Sequence, residues 1–169
     1  CHSTEHTQGC LTVRCTKTPD MTRKQSIGSL LAFISSVPDD VTITLWSGIP
    51  CTGGTQIQNC NKNRPDHKKN QEQHFKLFNQ LFDNFTVLAK AIQSKNGYIA
   101  MEWPWTCRYW SHPKVVKFFS DSGQSWIDFR IQACAFGLKV ESGKHAGKYM
   151  CKNWSCLLYT SDAADDQAS

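Results

Sequence analysis

Cys51 stands in the run Ile49-Pro50-Cys51-Thr52-Gly53-Gly54, a thiol behind a rigid proline and ahead of two glycines. A side chain on such a turn has little cover, so its thiolate can reach an electrophile, and neighbouring cations would lower its pKa. The plainer alternative is a small Cys buried in a tight turn. A second reactive group, the carboxyl of Glu102, stands in Glu102-Trp103-Pro104. Lys62, Arg64, Lys68 and Lys69 follow the Cys51 loop, where a basic segment either touches phosphate or is simply solvated. Arg108 lies among Trp103, Trp105, Tyr109 and Trp110, rings that either stack on a base or pack as a lid. Cys107, Cys134 and Cys151 have no CxxC or His-x-His spacing, so no metal site is read.

These groups need elements to hold them. Leu11–Cys15 alternates like a short strand, and Asp20 or Thr22 is placed to cap a following helix whose buried stripe is Ile27, Leu30, Leu31 and Ile34. Val41–Trp46 is a β-branched strand, and Ser47–Thr55 is the loop that carries Cys51. Gln56–Gln73 is polar and basic without a hydrophobic period, which predicts a mobile loop. Phe75, Phe78, Leu81, Phe82, Phe85, Leu88, Ala89 and Ile92 fall on one face of a helix that stops at Asn96-Gly97. Tyr98–Met101 is a buried-type strand closing at Glu102; a short helix over Pro113–Phe119, a turn at Asp121–Gly123 and a strand over Trp126–Ile131 follow.

With helices between successive strands, the expected fold is α/β: a Rossmann-like, doubly wound, mostly parallel sheet with helices on both faces. Ligands of such sheets bind at the carboxyl ends of the strands. The rule brings Cys51 and Glu102 to one rim if their strands are neighbours.

The chain has 169 residues, 40% hydrophobic and 20% charged, with 19 Lys and Arg against 14 Asp and Glu for a net +5. That describes one globular domain and excludes disorder and collagen. No apolar run approaches the roughly 20 residues that cross a bilayer, and the first residues lack a signal-peptide pattern. The expectation is an intracellular protein without a membrane partner. The start at Cys1 suggests a processed chain or a fragment. From Cys156 the run Cys-Leu-Leu-Tyr-Thr-Ser-Asp-Ala-Ala-Asp-Asp resembles the translation of a sequencing-library adapter, so residues 156–169 are expected to be read-through. Without them 19 basic and 11 acidic groups leave +8, and eight cysteines remain.

The order of these motifs resembles the cytosine-C5 DNA methyltransferases, particularly their short phage-like members. A strand followed by Pro50-Cys51, then a helix, a strand and Glu102-Trp103-Pro104 is similar to that family's order. So are Gln132-Ala133-Cys134-Ala135-Phe136-Gly137, like the family's Gln-Cys-Tyr-Gly strand end, and Lys148–Trp154, where the family has a Lys-Pro element. The resemblance spans roughly Asp20 to Trp154 and implies that residues 1–155 are a partial methyltransferase-like domain.

It implies methyl transfer from S-adenosylmethionine to a flipped-out cytosine of nucleic acid, DNA ahead of RNA. Cys51 would attack C6, and Glu102 would hydrogen-bond N3 and the exocyclic amine. Asp20 and Pro50 are the expected cofactor contacts, and Gly53, Gly54, Lys62, Arg64 and Arg108 the expected substrate contacts. Ile49 and Trp103 stand where the family has Pro and Asn, and the indole is expected to change the shape beside Glu102. The family's glycine-rich cofactor loop, its Gln-x-Arg-x-Arg element and its target-recognition domain are not seen in the sequence. Two other readings stand beside this one: a catalytically degenerate nucleic-acid-binding domain of a viral or mobile-element polyprotein, and a secreted disulfide-linked binding protein.

Overall fold

The computed structural model describes residues 5–7, 10–15, 18–121 and 126–159. Its longest element, helix α2 (His67–Gln93), buries Phe78, Phe82, Phe85, Leu88, Ala89 and Ile92 along one stripe at spacings of three and four. Asn96 takes a left-handed conformation after it (φ 54°). At Gly97 a Cβ would meet the Ile43 carbonyl oxygen and the Ile92 side chain at 2.6 Å each, so only glycine lets the helix end pass this close to the next strand.

The main sheet has four strands in the order β3 (Thr44–Ser47), β4 (Tyr98–Pro104), β6 (Asn153–Tyr159), β5 (Trp126–Gln132). β3 and β4 are parallel, in register Ser47 to Met101. β6 is antiparallel to both β4 and β5, so β3, β4 and β5 all run one way and β6 alone is reversed. α1 (Lys24–Ser36) precedes β3 and packs on α2, α2 joins β3 to β4, and α3 (Pro113–Asp121) joins β4 to β5. A separate two-stranded hairpin, β1 (Glu5–Thr7) with β2 (Cys10–Thr12), stands outside this sheet.

The mixed α/β class is therefore as expected, whereas the mostly parallel sheet is not. Two of the three neighbouring pairs are antiparallel. Helices between strands do produce parallel β3, β4 and β5, but the segment from Ala133 to Lys152 returns to the same end of the sheet, with the Ala133 N–H donating to the Lys152 carbonyl at 3.0 Å. A connection that turns back at one end gives an antiparallel neighbour and needs no crossover helix.

Helices also cover one face only among the described residues. Ile99, Met101 and Trp103 of β4 are 0–1% exposed within the core that also holds Phe78, Phe82 and Phe118. On the opposite face Trp46, Ile127, Phe129 and Ile131 stay 37–60% exposed.

Several boundaries differ from the sequence expectation. Leu11–Cys15 contributes to the hairpin and not to the main sheet. α1 begins at Lys24 with Arg23 as its N-cap, so neither Asp20 nor Thr22 caps it. The polar stretch 56–73 is not a loop throughout: Gln56–Asn61 is a 3-10 helix, and α2 starts at His67. Its first two turns carry Lys, Gln, Glu and His, good or neutral helix formers that add no apolar stripe, so hydrophobic period is blind to them.

β6 went unread because its second half is Cys156–Tyr159, the start of the adapter-like run. Those four residues occupy the slot between β4 and β5, with Cys156 and Tyr159 buried. The rest of that run, 160–169, and Ser122 and Gly123 of the expected turn lie outside the described residues.

Candidate functional site: a thiol loop at the carboxyl ends of two parallel strands

The register of β3 on β4 places Gly48, one residue past the strand, beside Glu102. A Cβ on Gly48 would lie 3.6 Å from Glu102 Oε1. Cys51 follows three residues later, half-buried, at the head of a 3-10 turn over Thr52–Gly54 in which the Gly54 N–H donates to the Cys51 carbonyl at 2.8 Å. The strand-end rule thus brings the thiol loop and Glu102 to one rim of the sheet.

Side chains from three other elements hold this loop from below. Trp103 Nε1–H donates to the Ile49 carbonyl at 2.7 Å, Gln71 Nε2–H of α2 donates to the Gly53 carbonyl at 2.6 Å, and Gln58 Nε2–H donates to the Thr52 carbonyl at 2.9 Å. Gly53 and Gly54 are buried against Tyr109 and Cys107. A Cβ on Gly53 would overlap Tyr109 Oη and sit 2.9 Å from His74 Cβ, and one on Gly54 would sit 2.8 Å from Cys107 Sγ. These two glycines are buried packing positions. Tyr109 Oη and Gln71 Oε1 are both buried there without a hydrogen-bond partner among the described residues.

Trp103 does not crowd Glu102. Neighbours in a strand point to opposite faces, so the indole enters the core, 1% exposed and edge-on to Tyr109 at 5.8 Å, while Glu102 lies on the other face across from Cys156. The expected change of shape beside Glu102 is replaced by an anchor under the thiol loop.

Burial pushes the Cys51 thiol above its ordinary value, opposed by its own backbone N–H and by the positive charge of Lys152. Lys152 immediately precedes β6, which the reversed direction of that strand delivers to this rim. It belongs to the Lys148–Trp154 element, in which the sequence pattern alone singles out no residue. Burial drives Cys107 up to about 11 and Tyr109 up to about 12, so both stay protonated at neutral pH. The Cys156 thiol is raised by burial and by the charges of Glu102 and Asp128.

The basic residues gather beside the loop. Lys62 and Arg64 are exposed in the turn that leads into α2, and Arg108, also exposed, donates to Asn59 Oδ1 at 3.3 Å in the adjoining 3-10 helix. Pro50 is exposed next to Cys51. Asp20 is elsewhere: its carboxylate accepts from the Thr22 N–H and O–H at 2.9 and 2.8 Å and pairs with Arg23, and the next two carbonyls are held by Asn84 and Gln80 of α2. These bonds hold its carboxyl below the usual carboxylate range. Asp20 is thus engaged by its own turn.

The tryptophans after β4 pack as a lid. Trp105 Nε1–H donates to the Trp154 carbonyl, Trp110 Nε1–H donates to Pro104 at 3.1 Å, and the Arg130 guanidinium lies 5.2 Å over the Trp105 ring. Beyond them a groove of about 720 Å³ opens between α3 and strands β5 and β6, apart from Cys51 and Glu102. Among the described residues no three His, Cys, Asp or Glu side chains converge as metal ligands, and no helix is long and apolar enough to cross a membrane. Comparison with protein-family models, with curated proteins and with solved structures finds no match to this chain.

Proposed function

We propose that the chain is the base-attacking part of a DNA cytosine-C5 methyltransferase-like protein, acting inside the cell on a cytosine flipped out of nucleic acid. The observation that carries this is the juxtaposition of the Cys51 loop with Glu102 on adjacent parallel strands, Gly48 lying against the carboxylate. Cytosine is a poor electrophile until N3 is hydrogen-bonded. In the reading Glu102 engages N3 and the exocyclic amine, the Cys51 thiol gives its proton to solvent, Sγ bonds C6, and the C5–C6 π pair moves toward C5. S-adenosylmethionine, when bound, supplies the methyl group; the residues described do not complete its site, and the chemistry derived for them stops at the addition.

A doubly wound methyltransferase fold is the architecture that goes with this reading. Its support in the sheet is the parallel β3–β4 pair, joined through α2.

Addition at C6 activates the C5 hydrogen, so the first test needs no cofactor. A cytosine-containing duplex incubated with the protein in heavy water is expected to gain deuterium at C5, and Cys51→Ser is expected to abolish the gain. Equal exchange with and without the thiol would overturn the assignment. With S-adenosylmethionine added, 5-fluorocytosine DNA is expected to trap a covalent adduct at Cys51.

A second reading, a nucleic-acid-binding domain without catalysis, is favoured by one observation: burial keeps Cys51 a neutral thiol, and the thiol is a far weaker nucleophile than the thiolate. DNA binding with no C5 exchange identifies it. The eight described cysteines are all free thiols.

A further inference from the structure

We propose that Trp103, with Gln71 as its counterpart, is a positioning residue for Cys51, fixing the thiol loop before any substrate arrives. This deepens the nucleophile reading of Cys51 and rests on it.

Ile49 and Gly53 lie two residues before and two residues after Cys51, and the carbonyl of each is taken by a side-chain N–H from beneath, Trp103 at 2.7 Å and Gln71 at 2.6 Å. Between them the Cys51 carbonyl accepts from Gly54 N–H at 2.8 Å, and the Thr52 carbonyl from Gln58 at 2.9 Å and Thr55 Oγ at 3.2 Å. A loop with this many of its carbonyls engaged has little freedom left, because releasing any one exposes an unmet acceptor.

The anchor itself cannot drift. Trp103 is 1% exposed and caged by Phe78, Tyr109 and Trp110 at ring distances of 6.1, 5.8 and 4.8 Å. It is also the residue after Glu102, so one strand end delivers the carboxylate on one face and the anchor of the thiol loop on the other. The strand end that carries Glu102 on one face therefore also holds the Cys51 loop in place from the other.

The charged and titratable groups acting on Cys51 are Lys152, Cys107 and Tyr109, and none is altered by the test. Trp103→Phe keeps an aromatic ring in the cage and removes the N–H. Phe85→Leu, a core change at the α3 side of α2, serves as the comparison for stability lost without touching the loop. Alkylation of Cys51 by iodoacetamide, read by peptide mass spectrometry across pH 7 to 10 well below the melting temperature, is the measurement.

Trp103→Phe is expected to loosen the loop, expose the thiol and lower its titration midpoint. The pH 8 rate should then rise about three- to tenfold, since thiolate fraction changes tenfold per pKa unit, while C5 exchange on DNA falls. Phe85→Leu is expected to leave the alkylation profile in place. A wild-type profile in Trp103→Phe, or an equal shift in Phe85→Leu, overturns the positioning role. Absence of C5 exchange in the unaltered protein would sink the methyltransferase reading, and the alkylation profile would still decide the anchor, so the two failures are distinct.

Discussion

Glycine at position 53 is required by space. The position a Cβ would take is already occupied by Tyr109 Oη, with His74 Cβ 2.9 Å away. Gly53→Ala is expected to cost about 1–3 kcal/mol of unfolding free energy, the usual penalty of overpacking. Urea denaturation measures it, and Tyr109→Phe in the same chain should recover part of the loss by removing the oxygen. A full loss with no recovery would mean that the His74 contact dominates.

A second prediction concerns Cys107, whose thiol rises from an ordinary 9.0 to about 11 on folding through burial. Between those values the folded state keeps a proton that the unfolded chain has lost. Stability from this group is therefore full below pH 9 and drains away as pH rises toward 11, by roughly 3 kcal/mol for a shift of this size. Cys107→Ala is expected to lower stability at pH 8 but to flatten its decline between pH 9 and 11, read as melting temperature against pH beside the unaltered chain. Parallel declines would remove the thiol from the account. At this scale the sequence was informative where a rule about strand ends applied, which is why Cys51 and Glu102 could be named. It was silent on Trp103 as an anchor, although strict alternation along β4 already separates residues 102 and 103 onto opposite faces. What alternation cannot tell is which carbonyl the buried indole will find.

At the level of elements, hydrophobic period found the α2 stripe, α1 and α3 because each buries a face. It missed the first turns of α2, which bury little, and it could not see β6, whose place depends on a long-range return and not on local pattern. β6 matters most for the fold. It supplies the neighbour of both β4 and β5, pairing Ile99 through Pro104 on one side and Trp126 through Gln132 on the other. A chain stopped after Ser155 keeps three of its seven residues and loses buried Cys156 and Tyr159. Such a chain is expected to lose cooperative thermal unfolding by circular dichroism. Substituting the β-formers Val-Val-Ile-Tyr for residues 156–159 is expected to retain it. If the truncated chain melts cooperatively, β5 must be held by α3 alone. If the substituted chain fails, the slot needs those particular side chains as well as strand pairing.

At the level of the whole molecule the net charge is +5 over 169 residues, and several cations are paired: Lys95 with Asp39, Lys114 with Asp83, Lys117 with Asp121 and Arg130 with Asp128. Among the described residues Lys62, Arg64, Lys68 and Lys69 are exposed with no carboxylate within 4 Å. They cluster where the chain enters α2, beside the Cys51 loop and near Arg108.

A cation that touches phosphate releases counterions, so each such contact steepens the salt dependence of binding by about 0.9 in log–log slope for duplex DNA. Lys62→Ala with Arg64→Ala is therefore expected to reduce that slope by about 1.8. Lys114→Ala, whose charge is already paired at 2.7 Å on α2, is expected to leave it unchanged. Fluorescence anisotropy with a short duplex over a potassium chloride series gives all three slopes. If the double substitution leaves the slope alone while binding persists, the basic turn is solvated surface and the phosphate contacts lie elsewhere on the rim. If the unaltered chain shows no salt-dependent binding at all, nucleic acid is not its partner, and the Cys51 loop would have to be read against a different electrophile.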